Sequence, residues 1–71
     1  MTGDEYRRCL ARLDMTQVEA ARFLCVDPTT TRRWLKDDRV PIVVAMLLRV
    51  MIKYDLSTDR VETVARKKVR A

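Results

Sequence analysis

The sequence predicts an all-α fold, a compact bundle of four to five short helices. Apolar residues recur along most of the 71 positions at the spacing of a helix face. Capping residues precede several of these segments, and none has the convincing alternation of a half-buried strand. Because the chain is short, we expect a single domain over residues 1–71. Its core would span about 4–56, with a weak fifth helix and a basic tail over 57–71.

Helix 1 is predicted over about residues 4–13. Four apolar residues have the i, i+3, i+4, i+7 spacing of one helix face: Tyr6, Cys9, Leu10 and Leu13. Asp4 and Glu5 precede this face at the first turn, where the helix dipole favours acidic side chains. The arginines of this segment lie off the apolar face.

Helix 2 is predicted over about residues 17–24. Thr16 and Glu19 have the spacing of a capping box, in which each side chain satisfies a free backbone N–H group. Behind this box, alanines, Phe23 and Leu24 provide a compact apolar face. Only a tight turn then separates this helix from the next.

Helix 3 is predicted over about residues 28–36. Asp27 is placed as its N-cap, and Pro28 occupies the first helical position, where the missing N–H has no cost. Two short capped helices joined by a tight turn describe a helix-turn-helix. In that motif the outward positions of the second helix must carry neither bulk nor acid.

Helix 4 is predicted to start at Pro41 and is apolar on nearly every side from Ile42 to Ile52. A helix of this kind is central to the core, or is shared between the core and a partner subunit. Ser57 and Thr58 are candidate caps of a weaker helix 5.

Composition excludes most enzymes. The chain has no His, so it lacks the usual general base and metal ligand, and a single Gly cannot form a phosphate-binding loop. Two cysteines complete neither a zinc site nor a disulfide framework. We therefore expect no cofactor, no metal and no small-molecule ligand. No apolar run or leader-like start indicates a membrane or export, so a cytoplasmic location is expected.

The charge balance indicates a polyanionic partner. Fifteen Lys and Arg against ten Asp and Glu give a net charge of +5, and the isoelectric point is about 9.8. A small folded basic domain of this kind has the electrostatic footprint of a nucleic-acid binder. A soluble protein that is merely cationic is the alternative on charge alone.

The stretch from Thr16 to Trp34, TQVEAARFLCVDPTTTRRW, resembles the helix-turn-helix of lambda-repressor-like, Cro-type DNA-binding domains. The resemblance extends over about residues 4–56 and includes the Val40-Pro41 entry into helix 4. It implies a lambda repressor-like fold and double-stranded DNA as the ligand. Two positions depart from the family: Cys25 stands where Gly is preferred, at a turn that often needs a positive φ, and Thr31 replaces Val or Ile.

The resemblance also implies roles for individual residues. Base readout falls to Pro28, Thr29 and Arg33. Phosphate contact or support of the recognition helix falls to Gln17, Thr30, Arg32, Lys36 and Arg39. Interior positions are Ala21, Val26, Thr31 and Trp34. An ordinary solvated face is the alternative interpretation for the two adjacent arginines, and both cysteines are expected to be buried or half-buried.

We therefore expect a sequence-specific transcriptional regulator, a repressor that acts as a homodimer on an inverted-repeat operator, with autoregulation as a further expectation. One short recognition helix reads few base pairs, and helices 4 and 5 are the expected dimer surface. The alternative is an antitoxin-type protein-interaction module of the same fold that binds a partner protein. A small enzyme is disfavoured by composition.

Overall fold

Five helices form the protein in a computed structural model that describes residues 1–66. They are α1 (Gly3–Arg12), α2 (Gln17–Phe23), α3 (Pro28–Lys36), α4 (Ile42–Lys53) and α5 (Thr58–Arg66). No strand occurs in these 66 residues, so the predicted all-α class is confirmed. The predicted basic tail beyond Arg66 lies outside the described residues.

The start of α1 differs from the prediction, because the helix begins at Gly3 and ends at Arg12. Thr2 is its N-cap: the Thr2 hydroxyl accepts from the backbone N–H of Glu5 at 3.2 Å, and the Glu5 carboxylate accepts in return from the Thr2 N–H at 3.4 Å. This is a second capping box. Thr2 and Glu5 have the same Thr-x-x-Glu spacing as Thr16 and Glu19, so the sequence carries a signal for this start too.

The caps predicted for α2 and α3 are confirmed. The Thr16 hydroxyl accepts from the Glu19 N–H at 3.1 Å, and the Glu19 carboxylate accepts from the Thr16 N–H at 3.0 Å. The Asp27 carboxylate accepts from the Thr29 N–H at 2.8 Å, with Pro28 at the first helical position. The bounds of α3 are those predicted, whereas α2 ends one residue earlier, at Phe23.

The first four helices end in the same way, with one residue in the left-handed region directly after the last turn. These residues are Asp14, Cys25, Asp38 and Asp55, with φ between 53° and 58°. In each case the following N–H donates to a carbonyl five residues earlier, as from Val26 to Ala21 at 3.0 Å. This is the Schellman pattern, which usually employs Gly. Short side chains at all four ends therefore take a conformation that carries a steric cost.

The core lies where α1, α3 and α4 meet. Its buried members come mainly from α1 and α4 and include Tyr6, Leu10, Leu48 and Met51, and Ala20 of α2 also belongs to it. α4 is central, as predicted, although Pro41 is its N-cap rather than its first helical residue. No residue of α5 between Thr58 and Arg66 is buried, so this helix is the most loosely attached of the five. Among the described helices, none has the length and apolar character needed to cross a membrane.

Candidate nucleic-acid interface

One face of α3 packs against the rest of the protein. Thr31 on this face is 1% exposed, and its hydroxyl donates to the carbonyl of Pro28 at 2.8 Å. The predicted interior position is therefore confirmed, including a partner for the hydroxyl one turn back. Trp34, one turn further along, is half-buried and meets the ring of Tyr6 in α1. These contacts fix the rotation of α3 about its axis and leave the opposite face outward.

The outward face of α3 is cationic. Thr29, Arg32, Arg33 and Lys36 are exposed and line one shallow concavity of about 480 Å³, together with Asp37. In the described part of the chain, none of these three cations forms a salt bridge. Their charge is therefore free to meet an anion, and the face is rigid because its helix is held from behind.

A second small groove joins α2 to α3. Gln17, at the start of α2, lines it with Pro28 and Arg32, in a space of about 240 Å³. Arg32 belongs to both concavities, so the two form a continuous surface. The Nε of Arg32 also donates to the Pro28 carbonyl at 3.4 Å, which holds the guanidinium close to the helix start. Exposed Val18 completes this groove and was not anticipated from the sequence.

Two of the candidate residues lie apart from these concavities. Thr30 is half-buried on α3 and lines neither concavity. Arg39 is exposed beyond the end of α3, where its backbone N–H donates to the Trp34 carbonyl at 2.9 Å. The candidate residues that lie together are thus Gln17 in the first turn of α2 and the outward stripe of α3, which consists of Thr29, Arg32, Arg33 and Lys36. Asp37, the C-cap of α3, was not anticipated as part of this surface.

Two carboxylates next to this surface, those of Asp27 and Asp38, have other partners. The backbone hydrogen bond from Thr29 lowers the pKa of Asp27 below its ordinary value, so the cap is charged at neutral pH. Asp38, after the other end of α3, accepts from the backbone N–H of Gly3 at 2.6 Å and so links α3 to the start of α1. Both acids therefore serve local structure at the ends of α3.

The turn between α2 and α3 corrects one expectation. Cys25 has a φ of 58°, as expected where the resembled family prefers Gly, but its side chain is exposed rather than half-buried. The left-handed backbone turns its Cβ outward at the surface of the turn, whereas Cys9 in α1 is half-buried as predicted. Among residues 1–66 no three His, Cys, Asp or Glu side chains are grouped to hold a metal ion.

Comparison with known proteins gives no relative: no protein-family model, curated protein or solved structure matches the chain. The geometry and charge of the described residues are therefore the support for a nucleic-acid interface on α3.

Proposed function

We propose that the protein is a sequence-specific double-stranded DNA-binding transcriptional regulator that acts as a repressor. The observation that carries this proposal is the outward stripe of α3, where three exposed cations have no carboxylate partner within residues 1–66. An α-helix fits the major groove of B-form DNA, and a helix held rigidly from behind presents its side chains at fixed positions.

The candidate residues on and around α3 divide by chemistry into two roles. Arg33 is the residue that reads a guanine, because a guanidinium can donate to O6 and N7 together, and the Thr29 methyl is suited to a thymine methyl. Pro28 lies beside Thr29 at the same end of the helix. Phosphate contact or support of the helix falls to Gln17, Thr30, Arg32, Lys36 and Arg39, whose donors carry no sequence information there.

Recognition by one short helix calls for a second copy, and α4 provides a surface for it. Met46 is 61% exposed, whereas Leu48 is fully buried. Residues two apart on an α-helix lie about 200° apart, so α4 is apolar on two opposite sides. The outer side carries large apolar side chains that no described residue covers: Ile42, Val43, Met46, Val50 and Tyr54.

The outer apolar side of α4 is joined to α5 through Val43, which lines one groove together with Leu47 and Val61. Val64 is 66% exposed and lines a groove of about 470 Å³ with Leu47, Leu56 and Val61. Exposed apolar area of this extent on a small domain marks an interaction site. We assign it to a two-fold homodimer, which places two copies of α3 on an inverted repeat with half-sites about one helical turn apart.

An antitoxin-type module that binds a partner protein is the second candidate. It is favoured by an apolar groove of about 740 Å³ in which the α2–α3 turn, α4 and α5 meet. Phe23, Trp34 and Val44 lie in its lining, and a partner's side chains could fill it. A neighbouring gene for a small toxin, and co-purification of the two products, would favour this candidate.

Footprinting on the DNA immediately upstream of the protein's own gene tests the proposal. Selection of bound duplexes from a random pool gives a second source of sites, and the site found in this way is called the selected site below. We expect a two-fold symmetric footprint over an inverted repeat, which tests DNA binding, symmetry and autoregulation together. If no site is protected in the upstream DNA and no duplex is selected from the pool, at near-physiological salt, DNA recognition is contradicted and the protein-interaction candidate is favoured.

A further inference from the structure

A second cationic groove lies between α1 and α4. It encloses about 470 Å³, and four of its lining residues are cations: Arg8, Arg12, Arg49 and Lys53. None of its lining residues belongs to α2 or α3, so it is separate from the stripe on α3. Nothing in the proposed DNA contact uses it.

The cations of this groove repel one another. Arg8 and Arg12 are one helical turn apart on α1, and Arg49 and Lys53 are one turn apart on α4. Like charges at this spacing are neighbours on the helix surface and destabilise the helix. The fold then brings both pairs to the two sides of one groove, which adds repulsion between the helices. An anion in the groove would relieve this repulsion.

The one carboxylate in the lining does not neutralise the groove. Glu5 accepts from the Thr2 N–H in the capping box of α1, and its other oxygen accepts from Arg49 at 3.2 Å. Within residues 1–66, Arg8, Arg12 and Lys53 form no salt bridge. Three positive charges therefore line the groove beyond the single paired arginine.

The floor of the groove is apolar. Cys9 from α1 and Ile52 from α4 are half-buried there, with Met1 beside them. Burial raises the pKa of the Cys9 thiol, so this thiol carries no charge at neutral pH. A ligand that fits the whole groove must offer negative charges at the rim and an apolar group at the centre.

We propose that the α1–α4 groove binds an acidic amphipathic segment of a partner protein. Its carboxylates pair with Arg8, Arg12 and Lys53, and one apolar side chain lies on Cys9 and Ile52. The exposed cations make the groove too open to enclose most of a small ligand. A nucleic-acid backbone offers phosphates but no apolar group for the floor. Carboxylates with an apolar anchor match both parts of the lining, and Arg binds carboxylates through two parallel hydrogen bonds.

A ¹⁵N-labelled sample titrated with defined probes tests the proposal by NMR. The first probe is a short helical peptide with glutamates flanking leucines on one face, and the second has serines in place of the leucines. Inorganic tripolyphosphate is the third probe. The double variant Arg12→Ala/Lys53→Ala removes two rim charges, and Arg7→Ala is its matched control. Arg7 lies on α1 outside the lining and is 58% exposed.

We expect saturable binding of the leucine peptide, with chemical-shift changes centred on Cys9 and Ile52 and none along α3. Affinity should fall about tenfold in the double variant, which loses two exposed ion pairs, and should be unchanged in Arg7→Ala. The serine peptide should bind more weakly than the leucine peptide, and added salt should weaken both complexes. The dispersed spectra of both variants check that they are folded.

Four outcomes would overturn the proposal. They are no saturable binding of the leucine peptide up to about 1 mM, equal affinity of the double variant and Arg7→Ala, shift changes located on α3, and equal or tighter binding of tripolyphosphate or the serine peptide. Because no residue of α3 takes part, failure here leaves the DNA-binding proposal standing. In the same way, failure of the DNA-binding proposal leaves the proposal for the α1–α4 groove standing.

Discussion

The ring of Trp34 in α3 meets the ring of Tyr6 in α1 edge-on, with centroids 6.0 Å apart and ring planes at 90°. This geometry is favourable for aromatic pairs, because the positive ring edge faces the negative ring face. Tyr6 is fully buried, so the contact ties the inward side of α3 to the centre of the core. Arg33 directly precedes Trp34 in the chain, and its outward position depends on this contact.

The Tyr6 hydroxyl is buried and has no hydrogen-bond partner among the described residues. Tyr6→Phe removes this unsatisfied group and keeps the aromatic contact. We expect the free energy of unfolding to stay the same or to rise by about 1 kcal/mol. Trp34→Ala, which removes the contact itself, should lower it by about 2 kcal/mol or more. Urea unfolding measures both variants, and a loss above about 1 kcal/mol in Tyr6→Phe would show that the hydroxyl has a partner.

Cys25→Gly should stabilise the turn between α2 and α3. Cys25 has a φ of 58°, in the region that L-residues with a Cβ avoid and Gly occupies freely. We expect a gain of about 0.5–1 kcal/mol in the free energy of unfolding, after the greater chain entropy of Gly is subtracted. Cys25→Ala is the control, because it removes the exposed thiol and keeps the Cβ; its effect should be near zero. A Gly variant no more stable than the Ala variant would argue against backbone strain here.

The Asp27 cap should make the stability of α3 depend on pH in acid. Its backbone hydrogen bond from Thr29 lowers the pKa of Asp27 below the ordinary value of 3.8 in the folded protein. The stability contributed by the charged form is thus present above 3.8 and is lost as pH falls through the folded pKa. Asp27→Asn also caps well but does not titrate. Thermal unfolding should show wild type losing stability relative to this variant below pH 3.8; a constant difference would contradict the account.

Met46→Glu should dissociate the proposed homodimer. Met46 lies in the middle of the outer apolar side of α4, where a carboxylate would be buried without a partner in a two-fold interface. Sedimentation velocity should show a dimer for the wild type and a monomer for this variant. Val18→Glu is the matched control, since Val18 is 57% exposed on α2, away from this surface; it should stay dimeric. A monomeric wild type at high concentration would remove α4 as a dimer surface.

The local signals in the sequence predicted the helices well, because capping chemistry is short-range. Thr16 and Asp27 form the hydrogen bonds that their spacing predicted, and the predicted start of α3 at Pro28 follows from its cap. Helix ends were harder to place. Asp14 and Cys25 take the left-handed conformation that Gly usually occupies, so no Gly marked the ends of α1 and α2, and each of these helices ends one residue before its predicted end.

The site was predictable only in part. The outward stripe of Arg32, Arg33 and Lys36 follows from helix periodicity once the inward face is known. The α1–α4 groove was not predictable, because Arg12 and Lys53 are far apart in the chain and only tertiary packing brings them to one surface. The exposed outer side of α4 was likewise ambiguous, since an apolar helix can be wholly buried or shared with a partner.

The roles of the α3 cations predict different effects on DNA binding. Arg33→Ala should reduce affinity for the selected site by about 1–3 kcal/mol and leave binding to random duplex nearly unchanged. Lys36→Ala should weaken binding to both duplexes alike and reduce the slope of log K against log salt by about one. Fluorescence anisotropy over a range of salt concentrations measures these quantities. Equal losses on both duplexes in both variants would contradict the division of roles.

The most direct test of the central claim is the ratio of affinities for the selected inverted repeat and for a scrambled duplex of the same length and composition, measured by competition at near-physiological salt. Sequence-specific recognition through α3 predicts a ratio of about 10³ or more for the wild type, and a sharply reduced ratio for Arg33→Ala. A ratio near one for the wild type would show that the cations of α3 bind nucleic acid only through its charge, or not at all, and would contradict the proposed function.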